Sequence, residues 1–71
     1  MDNSQVENLI GKNIKKLRLK NKLTQEKLAV KAGVPYTTLT KIESGVIKKP
    51  AVQAIAKIAK VLGVRVDDLI K

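Results

Sequence analysis

Hydroxyl and amino side chains recur along one side of the segment 36–45. At about 100° per residue of an α-helix, Leu39 and Ile42 point in one direction, which defines the core side. The opposite side then carries Thr37, Lys41 and Ser44, with Thr40 close by and Tyr36 at the leading end. Such a face suits hydrogen bonding to base edges and to phosphates, although an ordinary polar helix surface has the same composition.

Residues 24–45 are predicted to form two short helices joined by a tight turn, which is the helix-turn-helix arrangement. Thr24 is a good N-cap for the first of these two helices, and the free N–H groups and the dipole at its start favour phosphate. Gly33 supplies the left-handed residue that ends this helix and permits a sharp turn. Ala29 is expected where the two helices approach, because a larger side chain would force them apart.

Apolar residues recur at spacings of three and four along the chain, which predicts an all-α fold. A capping box of Ser4 and Glu7 is expected to begin a first helix that ends near Asn21. After the motif, a fourth helix ends at Gly63 and a short fifth helix follows. The fourth helix is predicted to bury one broad apolar face: Ala51, Val52, Ile55, Ala56, Ile58, Ala59 and Leu62. We expect one domain over residues 1–71, a compact bundle of five short helices with no room for an effector-binding domain.

The net charge is the clearest feature of the composition. Fifteen Lys and Arg against six Asp and Glu give +9, which points to a polyanionic partner, most often nucleic acid. Six of the cations lie between Lys12 and Lys22, a stretch without an acid. A solvated helix face that only keeps the protein soluble would have the same composition. Tyr36 is the one aromatic residue, which argues against a base-stacking module.

The absence of Cys and His excludes disulfides, thiolate zinc sites and imidazole metal sites. The carboxylates are scattered along the chain, so we expect no catalytic residues, no metal, no cofactor and no enzymatic activity. No apolar run reaches half the length of a membrane span, and residues 1–5 do not resemble the start of a secretory signal. A soluble protein of the cytoplasm, without a membrane partner, is therefore expected.

The motif resembles the phage repressor and Cro-type helix-turn-helix proteins, also called the Xre family. The matching positions are Thr24-Gln25, Leu28-Ala29, Gly33-Val34, Leu39, Ile42-Glu43 and Gly45. Outside the motif, Lys48-Lys49-Pro50 looks like the family's basic loop, and 62–64 with 68–69 look like its closing helix. The resemblance covers residues 9–70 without a gap and implies a lambda-repressor-like DNA-binding domain.

The resemblance also implies roles for individual residues. Gln25 has little to do locally, and the family uses this glutamine to bind phosphate and brace the recognition helix. Pro35 departs from the family because it has no hydroxyl to offer a phosphate. The implied base contacts are Tyr36, Thr37, Thr40 and Lys41. The implied phosphate contacts are Thr24, Gln25, Ser44, Lys48 and Lys49.

Glu43 is an acid within a basic unit, so contact with DNA is not expected of it. On the helical wheel it lies about 70° from the core direction, so it is expected to be partly buried and to need a partner. Arg18 matches the family arginine that pairs with this glutamate, and arginine suits a semi-buried bidentate pair. Two independent surface charges are the alternative.

The closing segment 64–70 is unusually apolar for a chain end. Its valines and Leu69 cannot all turn inward from one short helix, which leaves an exposed apolar patch for a partner. The family pairs through this end of the domain, although ordinary fraying of a terminal helix is the alternative. The implied dimer interface consists of Ile47, Val64, Val66 and Ile70.

These expectations converge on a sequence-specific transcriptional regulator, a repressor that binds a palindromic operator in double-stranded DNA as a homodimer. Two alternatives stay open. In the first, the protein is the antitoxin or controller of a toxin or restriction operon, with a toxin as its protein partner. The second comes from a different functional class: a protein-interaction module that keeps the fold and bridges transcription proteins.

Overall fold

The protein folds as a bundle of short α-helices. A computed structural model describes residues 9–70, so the predicted capping box at Ser4 and Glu7 lies outside the described residues. Within that range the all-α prediction of five helices is confirmed. In chain order the helices are α1 (Leu9–Lys20), α2 (Gln25–Ala32), α3 (Tyr36–Ser44), α4 (Val52–Leu62) and α5 (Val66–Leu69).

Helix α3 lies between α1 and α2, and α4 closes the other side of α2. The short α5 packs against α1 and α4, so the two ends of the described chain meet in one core. The bundle has a Cα radius of gyration of 11.0 Å. None of the described helices is long and apolar enough to span a membrane.

The core consists of aliphatic side chains from all five helices. Ile14, Leu28, Leu39, Ile58 and Leu69 are completely buried. Further buried members are Ala29, Ala32, Val34, Ile42, Ile55, Ala59 and Leu62. Because both Leu39 and Ile42 of α3 are held in this core, the opposite side of α3 is fixed toward solvent.

The predicted apolar face of α4 is too broad. Val52 is 77% exposed and Ala56 is also exposed, whereas Ile55 on the same helix is buried. Ala56 lies about 100° from Ile55 around the helix axis, outside the stripe that the core covers. Val52 is the first residue of α4, and the packed stripe begins at Ile55; Ala51 precedes the helix and is exposed.

The turn between α2 and α3 has the cap residues that the sequence predicts. The Thr24 Oγ1 accepts the Lys27 N–H at 3.1 Å and so satisfies one free donor at the start of α2. At the other end, Gly33 has a φ of 68°, and the Val34 N–H donates to the Ala29 carbonyl at 3.0 Å. Ala29 is 3% exposed, so no space remains there for a larger side chain.

Helix α1 ends with the same hydrogen-bond pattern but without a glycine. The Leu23 N–H donates to the Arg18 carbonyl at 3.0 Å, and Lys22 takes the left-handed position with a φ of 58°. For a residue with a Cβ this conformation costs about 1–2 kcal/mol. Helices α2 and α4 place Gly33 and Gly63 at the equivalent position.

The Lys22→Gly variant is therefore expected to be more stable than the natural chain. The gain in free energy of unfolding is about 0.5–1 kcal/mol, because relief of the left-handed strain exceeds the extra entropy of glycine in the unfolded state. Urea denaturation measures this gain. The control Lys16→Gly removes the same charge from the middle of α1 and is expected to lose about 1 kcal/mol. A loss of stability in Lys22→Gly would contradict this account of the helix end.

Candidate nucleic-acid interface

The outward side of α3 is a polar surface on a rigid support. Thr37, Lys41 and Ser44 are exposed on the side opposite Leu39 and Ile42, which are 0% and 2% exposed. Thr40 is half-buried at the edge of this surface, and Tyr36 is 47% exposed at the start of the helix. The five polar side chains that the sequence assigns to the site thus lie along one helix.

Two hydroxyl groups of this surface already donate hydrogen bonds to their own helix. The Thr40 Oγ1 donates to the Thr37 carbonyl at 2.8 Å, and the Ser44 Oγ donates to the Lys41 carbonyl at 3.2 Å. In this arrangement the lone pairs of both oxygens remain available, so each oxygen can accept a hydrogen bond from a donor outside the helix. A contact from Ser44 to a phosphate oxygen requires its hydroxyl to rotate away from Lys41, because phosphate offers acceptors only.

A buried ion pair fixes the C-terminal part of α3 against α1. The Arg18 guanidinium binds the Glu43 carboxylate in bidentate fashion, with Nε to Oε2 at 2.8 Å and Nη2 to Oε1 at 3.1 Å. Each of these residues is 7% exposed. The Arg18 Nη1 also donates to the Leu23 carbonyl at 2.8 Å, so the same side chain holds the connection between α1 and α2.

Gln25 joins this network from the first position of α2. Its Nε2 donates to the Glu43 Oε1 at 3.2 Å, and its side chain is half-buried. Gln25 therefore braces α3, as the resemblance implies, rather than its own local segment. Its partner is 18 residues away in the sequence, and local spacing gives no signal for a contact of that kind. The network neutralises the one acid of α3 and ties the start of α2 to the end of the exposed surface.

The segment that follows α3 folds back onto the end of α3. Gly45 has a φ of 88°, and the Ile47 N–H donates to the Lys41 carbonyl at 3.0 Å. Lys48 and Lys49 are consequently exposed just beyond the C-terminal end of α3. Val46, which the sequence reasoning did not single out, is 70% exposed next to them.

The residues assigned to a dimer interface differ in their exposure. Ile47, Val64 and Val66 are half-buried and pack against the core, whereas Ile70 is 51% exposed. Leu69 is completely buried, and its carbonyl accepts the Asn13 Nδ2 at 2.8 Å. Ile70 is therefore the most exposed of the four, and the other three contribute only their partly exposed side chains to the surface.

The protein matches known sequences over most of its length. A family profile described as helix-turn-helix matches residues 14–69. RghRB of Bacillus subtilis strain 168, an uncharacterized HTH-type transcriptional regulator, is 39% identical over 59 residues. That alignment covers 83% of this chain but 42% of RghRB, so the chain spans less than half the length of this relative.

Solved structures give a similar picture. The N-terminal DNA-binding domain of SinR from Bacillus subtilis superposes with a TM-score of 0.88 at 34% identity, covering 90% of this chain and 93% of the domain. SinR, the master regulator for biofilm formation, in complex with DNA superposes with a TM-score of 0.85 at 35% identity, covering 87% of this chain and 98% of that one. The complex of SinR with the SinI protein superposes with a TM-score of 0.86 at 35% identity, covering 87% of this chain and 60% of that one.

Proposed function

The chain belongs to the phage repressor and Cro-type (Xre) family of helix-turn-helix DNA-binding proteins, and on that premise we propose that it is a sequence-specific transcriptional repressor. It binds a palindromic operator as a homodimer, and α3 enters the major groove of each half-site. Two copies related by a two-fold axis read half-sites about 34 Å apart, one helical turn of DNA. A DNA target, together with relatives from a bacterium, supports action in the cytoplasm.

The exposed surface of α3 carries this proposal. Thr37 and Lys41 point away from a core that immobilises the other side of the helix, so they meet base edges without ordering a loop. Lysine binds the guanine acceptors, and the threonine hydroxyls bind either base type. Tyr36 at the leading end contributes a ring for a thymine methyl, and Thr40 accepts from base amino groups.

Phosphate contacts flank this surface on both sides. The start of α2 offers free N–H groups to a phosphate, with Thr24 as the N-cap and Gln25 behind it. Lys48 and Lys49 meet the backbone from beyond the other end of α3, and Ser44 donates to it after its hydroxyl rotates. The buried Arg18–Glu43 pair keeps the two groups of contacts in register.

The roles of the loop lysines are tested by salt dependence. Lys48→Ala and Lys49→Ala are each expected to weaken binding to every duplex alike and to lower the slope of log affinity against log salt by about 1. Fluorescence anisotropy with specific and unrelated duplexes measures both quantities. Lys60→Ala removes the same charge from the C-terminal part of α4 and serves as the control, with an unchanged slope. A changed base preference in the loop variants would contradict their assignment to phosphate.

The homodimer is proposed to form through the α5 end of the domain. Ile70 is the exposed apolar side chain there, and Val64, Val66 and Ile47 are the half-buried side chains that we assign to the same interface. A weak dimer is expected, because this surface is small, and DNA tightens it by holding both copies.

Ile70→Asp is expected to leave the monomer folded and to abolish cooperative occupation of two half-sites. A buried aspartate at the interface stays unpaired, whereas in the monomer it remains in water. Gel shifts on full and half operators, with sedimentation, measure the effect. Leu19→Asp, at a residue that is 56% exposed on α1, is the matched control. Unchanged cooperativity in Ile70→Asp would overturn this interface.

Control of the repressor is proposed to come from protein concentration, turnover or a protein partner. The related SinR has been solved in a complex with the SinI protein, which supports regulation of such domains through protein contacts. If the protein is instead an antitoxin, its partner is a toxin. The neighbouring genes distinguish a repressor from the antitoxin or controller of a toxin or restriction operon, and both would bind DNA in the same way.

A further inference from the structure

A groove on the surface lies between the C-terminal end of α2 and α4. It has a volume of about 490 Å³. Val30 and Val61 contribute its apolar part, and Val30 is 81% exposed, the highest value among the large exposed hydrophobic residues that the structure describes. Three exposed lysines, Lys31, Lys57 and Lys60, surround these valines. We call this feature the α2–α4 groove.

The α2–α4 groove is separate from the proposed DNA surface. The helix ends that face phosphate in that proposal are the N-terminus of α2 and the loop before α4. Lys31 lies in the last turn of α2, and Lys60 lies eight residues after the start of α4, about 12 Å along its axis. Lys31 and Lys60 therefore sit at the far ends of the two helices, and Lys57 lies midway along α4.

The composition of the groove indicates an acidic occupant. No acidic residue lines it, and no described residue forms an ion pair with any of its three lysines. Lys31 and Lys60 complement the helix dipoles at the ends of α2 and α4, but Lys57 lies mid-helix and gains nothing from that effect. Three cations around one groove repel one another until carboxylates or phosphates approach.

The exposed valine distinguishes a protein from a nucleic acid as the occupant. A phosphate backbone gains nothing from Val30, whereas an aliphatic side chain laid on Val30 and Val61 removes apolar surface from water. We propose that the α2–α4 groove is a docking site for an acidic segment of a partner protein. The segment places an aliphatic side chain against the two valines, and flanking carboxylates bind the lysines. DNA and this partner then bind at the same time.

The test uses a synthetic helical peptide with leucines along one face and glutamates beside them. Chemical shifts of the labelled full chain are followed without DNA, so the outcome does not depend on the DNA-binding proposal. We expect saturable shifts at Val30, Lys31 and residues 57–61. The Lys57→Glu/Lys60→Glu double variant is expected to bind about tenfold more weakly. The Lys12→Glu/Lys16→Glu double variant has the same net charge and is expected to keep most of the affinity.

The apolar contact has its own variants. Val30→Ser is expected to weaken peptide binding about fivefold, whereas Val52→Ser, at another exposed valine, leaves it unchanged. A peptide with glutamines in place of the leucines is expected to lose affinity to the same extent. Absence of saturable shifts would overturn the proposal. Equal losses in both charge variants, with no effect of Val30→Ser, would also overturn it, because the attraction would then be that of a diffuse cationic surface for any polyanion.

Discussion

Removal of Arg18 alone is expected to destabilise the protein more than removal of Arg18 and Glu43 together. In Arg18→Met the Glu43 carboxylate stays buried with Gln25 as its remaining side-chain donor. An uncompensated buried charge costs about 3–5 kcal/mol, a large part of the stability of so small a domain. In the double variant Arg18→Met/Glu43→Leu no charge remains buried, so most of that loss is recovered.

The single variants are not expected to be equivalent. In Glu43→Leu the Arg18 guanidinium keeps its bond to the Leu23 carbonyl, and a side chain of this length can turn its charged end toward solvent. The loss in Glu43→Leu is therefore smaller than the loss in Arg18→Met. Urea denaturation of the four proteins gives the coupling energy directly. Glu43→Gln provides a milder version if a single variant is too unstable to measure. A coupling energy near zero would mean that the two charges act independently.

The second large effect is expected on DNA recognition. Replacing both Thr37 and Lys41 with alanine removes the two proposed base contacts, each worth about 1–3 kcal/mol of discrimination between base pairs. The combined loss corresponds to roughly 30-fold to 10⁴-fold in affinity for the preferred duplex. Affinity for unrelated duplexes falls far less, because the phosphate contacts remain.

Stability separates this effect from unfolding. Both side chains are exposed, so the double variant is expected to unfold within about 0.5 kcal/mol of the natural chain. The backbone carbonyl that accepts the Thr40 hydroxyl is unchanged in the variant, so α3 keeps that bond. Anisotropy with a preferred duplex and with a scrambled one measures the two affinities. An equal drop on both duplexes would assign Thr37 and Lys41 to phosphate rather than to bases.

Local sequence signals predict much of this fold. Thr24, Gly33 and Gly63 mark helix ends because capping and left-handed backbone depend on the residue itself and its near neighbours. The 3.6-residue period places Leu39 in the core and Lys41 on the surface for the same reason.

Other features depend on contacts between distant segments. The bond from Gln25 to Glu43 joins α2 and α3, and neither residue's neighbours indicate it. The exposure of Val52, which lies on the predicted apolar face of α4, depends on how that helix packs, which periodicity does not specify. Ile70 is separated from Val66 by one turn, yet their exposures differ because the packing of α5 on α1 and α4 sets its rotation. The resemblance names the Arg18–Glu43 pair, but only the fold shows its additional bond to the Leu23 carbonyl.

The central claim is that the outward side of α3 reads DNA sequence. The most direct measurement is selection of bound duplexes from a random DNA pool, with the natural chain and the Thr37→Ala/Lys41→Ala variant in parallel. The account predicts a palindromic consensus for the natural chain, with half-site centres one helical turn apart, and loss of preference at specific positions of each half-site for the variant. A pool that stays random with the natural chain, or the same consensus from both proteins, would contradict it.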